Sequence, residues 1–179
     1  MAVQARTRED DVTNAEIWAM LRKGGLSVEM SAAESGGRGE PVLVGRYHGM
    51  LDPAGVDELG GMLADKARSV EPNVVVVGEG ANDLILGFVV ARELGLPLVR
   101  VLNLEGLVGA SGTLPAHPRA VFVADRVHKR EFATAVSNLI EREGGELAAI
   151  VALVDLAVAD LEITRLGLVT VEDGVAGGD

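Results

Sequence analysis

The residues best suited to chemistry fall into two short clusters. One is Asp125 with Arg126, His128, Lys129 and Arg130; the other is Glu79, Asn82 and Asp83. Asp125 follows AVFVA (120–124), a small, apolar run that reads as a buried strand, so an acid stands where that strand should end. A polar, basic turn comes next, and a helical pattern then runs on to Gly144 and Gly145. Glu79, Asn82 and Asp83 sit in GEGAND, directly after the apolar run NVVVVG (73–78). In an open parallel α/β sheet, ligands bind outside the carboxyl ends of the strands, close to helix N-termini. An acid there can hold a hydroxyl or a metal. A basic turn beside a helix N-terminus can hold an anion, or can dock an acidic partner.

Each cluster also has a plainer reading. Asp125 can cap the turn that follows it, and His128 to Arg130 can form a solvated turn whose charge Glu131 offsets. Asn82 or Asp83 fits the preference of a helix N-cap. A third group, Arg46, Tyr47 and His48, closes a short predicted strand. The spacing of His48, His128 and the carboxylates does not support a metal site, and none is predicted.

The elements that must position these residues follow from periodicity. Residues 1–12 read as a flexible leader. Thr13 and Glu16 have the spacing of a capping box, with Ile17, Met20 and Leu21 on one face of the helix that follows and Gly24 and Gly25 ending it. In this helix Trp18 and Met20 are read as packing residues. Residues 31–40 form a loop by composition, and PVLVGRYHG reads as a short strand ending near Arg46. Asp52 and Pro53 start a helix striped by Val56, Leu59, Leu63, Ala67 and Val70, which Pro72 ends. After the strand at 73–78 comes a helix from about Leu84 to Leu94, stopped by Gly95, and a strand at Leu98 to Leu102. Residues 104–118 read as a loop. Another strand covers Leu147 to Leu153, and a tail contains Leu166 to Val171. Strands alternating with helices at these lengths predict a doubly wound, mostly parallel α/β sheet flanked by helices. One domain over 13–179 is expected, its core sheet at about 73–156 and its N-terminal third a helical and strand cap.

Composition excludes several function classes. Sixteen basic against 27 acidic residues leave a formal charge of −11, whereas a nucleic-acid partner calls for a basic face. With no cysteine, there is no disulfide, thiolate nucleophile or Cys-bound metal. The longest apolar run, 147–159, is interrupted by Asp155 and is too short to span a bilayer. The polar N-terminus is unlike a signal peptide, so the expected location is the cytoplasm.

Three stretches resemble the orotate phosphoribosyltransferase branch of the type I phosphoribosyltransferases. They are SGGRGEPVLVGRYHGMLDPAGVDELGGMLA, VVVVGEGANDLILGFVVARELGLPLVRV and VFVADRVHKREFATAVSNLIEREGGELAAIVALVDL, and together they cover about residues 30–156. The resemblance implies the fold of that family and a site for phosphoribosyl pyrophosphate (PRPP) with magnesium. In that site two acidic residues hold ribose hydroxyls and a metal, and a loop of small residues wraps a phosphate. Here Ala124 and Asp125 take the two acidic positions, and His128 to Phe132 replace the small-residue loop. Ala81, Asn82 and Asp83 stand at the turn that receives pyrophosphate. Leu102, Asn103, Gly106 and Val108 stand where the family carries its catalytic cations. The resemblance therefore implies a family member that has lost PRPP-dependent transfer, a pseudoenzyme acting as a regulatory or structural partner. It implies a homodimer or a complex with another protein, and no cofactor unless PRPP and magnesium still bind. Two alternatives remain open. One is a repurposed enzyme or binder of a small anionic or nucleotide-like ligand in the same cleft; the other is an active transferase with unusual loops.

Overall fold

The computed structural model describes residues 12–30, 41–45, 52–104, 107–126, 130–156 and 162–171. Helix α1 (Asn14–Lys23) opens with the expected capping box: Glu16 N–H donates to Thr13 Oγ1 at 3.3 Å, and Thr13 N–H donates to Glu16 Oε2 at 2.8 Å. Two short strands, β1 (Ser27–Met30) and β2 (Pro41–Val44), pair antiparallel as a separate two-stranded sheet. Four residues, SVEM, are too few to display a period, and β1 takes its conformation from β2.

Helix α2 (Pro53–Arg68) begins as its sequence dictates, with the Asp52 side chain accepting from Ala54 N–H at 3.2 Å and proline in the first turn. It stops four residues before Pro72. Ser69 takes over as C-cap, its Oγ donating to the Lys66 carbonyl at 2.7 Å. The main sheet then begins. Strand β3 (Val74–Val77) leads to helix α3 (Ala81–Leu94), and strand β4 (Leu98–Leu104) to strand β5 (Leu107–Ser111). Strand β6 (Arg119–Arg126) leads to helix α4 (Arg130–Arg142), followed by β7 (Glu146–Asp155) and β8 (Arg165–Thr170).

The six strands lie in the order β5-β4-β3-β6-β7-β8, parallel except for β5, which turns back along β4. The predicted α/β class with a mostly parallel sheet is what the chain forms. Two segments differ from expectation. Residues 107–111 are strand rather than loop, because β4 offers them a ladder that the small residues of LVGAS do not announce. The stretch 165–170 is a parallel strand against β7, which carries the sheet beyond residue 156.

Alternation divides the buried side chains of β3 and β6 between two faces. Val75, Val77, Val121, Val123, Val151 and Leu153 face a layer made by α1, α2 and α3. Val74, Val76, Ala120, Phe122, Ile150 and Ala152 face α4. All four residues of β3 are fully buried, as a strand covered on both faces must be. Trp18 and Leu21 of α1 and Leu59 and Leu63 of α2 complete the first core.

Close approach is set by glycine at two crossings. A Cβ on Gly87 of α3 would overlap the Cγ1 of Val77 on β3, and one on Gly60 of α2 would overlap Val89 of α3. Neither valine is free to move inside a packed core. Gly87→Ala and Gly60→Ala should each lower stability by about 1–3 kcal/mol through overpacking. Gly95→Ala is a useful reference: its φ is 68° with nothing within 4 Å of an added Cβ, so only the backbone cost of about 1 kcal/mol applies. Urea unfolding of the three variants measures the difference.

Candidate functional site

The direction of winding reverses between β3 and β6. From β3 the chain passes through α3 to β4 on one side, while β6 and β7 extend the sheet on the other. The carboxyl ends of β3 and β6 therefore flank the crevice in which open α/β sheets hold ligands.

Helix α3 starts at Ala81, three residues earlier than its apolar pattern indicates, with Gly80 as N-cap and no side-chain cap. Asn82 and Asp83 thus belong to its first turn, and neither is the N-cap. The crevice brings both of them to Asp125. Asp125 N–H donates to Asp83 Oδ1 at 2.9 Å, and Asn82 Nδ2 donates to Asp125 Oδ2 at 3.3 Å. On the other flank, Asn103 N–H of β4 donates to Glu79 Oε2 at 3.3 Å. The two acids that follow β3 therefore clasp a backbone N–H on each neighbouring strand. Glycine makes room for this: a Cβ on Gly80 would lie 2.7 Å from Asp83 Oδ2, and one on Gly78 would lie 3.4 Å from it.

Strand β6 runs two residues further than its apolar run. Asp125 and Arg126 are its last residues, so Arg126 is not part of the turn predicted after the strand. Arg126 Nη1 donates to the Gly45 carbonyl at 3.1 Å, tying the end of β2 to the end of β6. Arg130 opens α4 rather than standing in the turn. It lines a groove of about 630 Å³ along that helix with Thr134, Ser137, Glu141 and Glu162. His128, Lys129 and the group Arg46, Tyr47 and His48 lie outside the described residues. The crevice also contains participants that residue types do not reveal. Asn103 and Gly45 act through backbone atoms. Phe132, in the first turn of α4, packs edge-on against Phe122 with ring centroids 5.8 Å apart, close beside Gly78. Its position in HKREF, where the resembled family has small residues, was the signal for it.

Among the described residues, no group of three His, Asp or Glu side chains gathers to hold a metal. The chemistry of the crevice is that of an internal anion. A carboxylate that accepts a backbone N–H at a strand end occupies that donor, and it adds repulsion towards any further anion. Two unit charges about 4 Å apart repel by about 1 kcal/mol in water and about 4 kcal/mol near a protein surface. Glu131, exposed in the first turn of α4, adds a further negative charge at that helix N-terminus.

Burial pushes the Asp83 carboxyl up to about 6. The Asp125 N–H works against this, the Asp125 charge adds to it, and Arg126 partly offsets it. The sign follows from linkage: the native state binds this proton more tightly than the unfolded chain, so the contribution of Asp83 to stability falls as pH rises from about 4 through about 6. Asp83→Asn keeps an acceptor for the Asp125 N–H and removes the buried charge. Urea midpoints should show it more stable than the parent by about 1–2 kcal/mol at pH 8, the shift being discounted for partial exposure, with the gap closing towards pH 4.

No protein-family model matches the sequence, and no curated protein sequence matches it. Solved structures do match in three dimensions. The UMP synthase of Leishmania donovani superposes with a TM-score of 0.73 at 16% identity, over 92% of this chain and 38% of that one. An adenine phosphoribosyltransferase from Thermoanaerobacter pseudethanolicus gives 0.63 at 17% identity, over 86% of this chain and 99% of that one. The orotate phosphoribosyltransferase of Mycobacterium tuberculosis, in complex with inorganic phosphate, gives 0.63 at 17% identity, over 90% and 98%. The architecture built around the β3–β6 crevice is thus the type I phosphoribosyltransferase fold.

Proposed function

We propose that this chain is an orotate phosphoribosyltransferase-like protein that has lost PRPP-dependent transfer. In this reading it acts in the cytoplasm as a non-catalytic regulatory or structural partner, as a homodimer or beside an active enzyme. The observation that carries the reading is the double clasp. Glu79 and Asp83 take the N–H groups of Asn103 and Asp125, the donors on either side of the switch point. An incoming pyrophosphate would have to displace carboxylates covalently tethered to the same turn.

The residues present do not fit PRPP with magnesium. Ala124 stands in place of one acid of the expected pair, and Phe132, where the resembled family has a small residue, packs on Phe122 beside Gly78. A second reading, a repurposed binder, has its own support. Asp83 and Asp125 meet at the carboxyl ends of β3 and β6, and their carboxylates have more acceptor sites than the Asn82 amide and the Asp125 N–H occupy, which suits a hydroxylated ligand better than a polyanion.

With PRPP, magnesium and either orotate or adenine, the chain should form no nucleotide, and PRPP with magnesium should leave its melting temperature unchanged. Nucleotide formation together with PRPP-dependent stabilisation overturns the proposal. The Glu79→Gln/Asp83→Asn double variant keeps the hydrogen-bonding shape and loses two charges. It should show a PRPP-dependent rise in melting temperature that the parent lacks.

A further inference from the structure

We draw no further inference here: the strongest candidate, the groove of about 630 Å³ between α4 and the segment leading into β8, is lined by side chains that bond to one another, Ser137 to Glu141 and Arg119 to Glu146, and nothing in the structure shows what would fill it.

Discussion

The burial of β3 on both faces is the constraint on which the rest depends. Four consecutive valines cannot face water on either side, so helices must lie above and below, and parallel strands must lie to left and right. Asn73 fixes the start of this arrangement. Its backbone N–H donates to the Arg119 carbonyl, and its side chain accepts from Arg119 N–H at 2.8 Å and donates to the His117 carbonyl at 3.2 Å. With β3 and β6 so aligned at their amino ends, Val77 at the end of β3 pairs with Val123 and β6 runs three residues further, and the crevice lies beside that overhang.

At that crevice the molecule's own side chains bond to one another and to its backbone. The turn after β3 carries two acids, and each finds a backbone donor on a different neighbouring strand. Asp83 does so at a cost, since its charge is partly buried beside Asp125, with Arg126 as the balancing cation. Carboxylates are rarely held this way unless neighbouring donors offset their desolvation. The aromatic contact of Phe132 with Phe122 closes the same region from the α4 side. Polar clasp and aromatic packing thus lie side by side at the carboxyl ends of β3 and β6.

Much of the fold was legible because its signals are local. The capping box at Thr13, the Asp52–Pro53 start and the valine run each act through residues within a turn or a strand of one another. The elements that the pattern did not reveal, β1, β5 and β8, are short or edge strands. Their conformation is supplied by a neighbouring ladder rather than by their own periodicity. The early start of α3 has a related cause. Ala81, Asn82 and Asp83 have no apolar period, yet Leu84 N–H donates to the Gly80 carbonyl and makes them helix.

For the site, residue types alone placed Glu79, Asn82, Asp83 and Asp125 near strand ends and helix starts, where an α/β sheet presents its chemistry. The sequence also puts the long side chains of His128 to Phe132 where the resembled family has small ones, since composition at a given position needs no structure to read. Only the tertiary structure decided what those side chains do. Asp83 and Asp125 are 42 residues apart and meet because β3 and β6 are adjacent parallel strands. The donor that Asp83 occupies is a backbone N–H, a group every non-proline residue carries and which no sequence distinguishes until the fold has brought it within 2.9 Å.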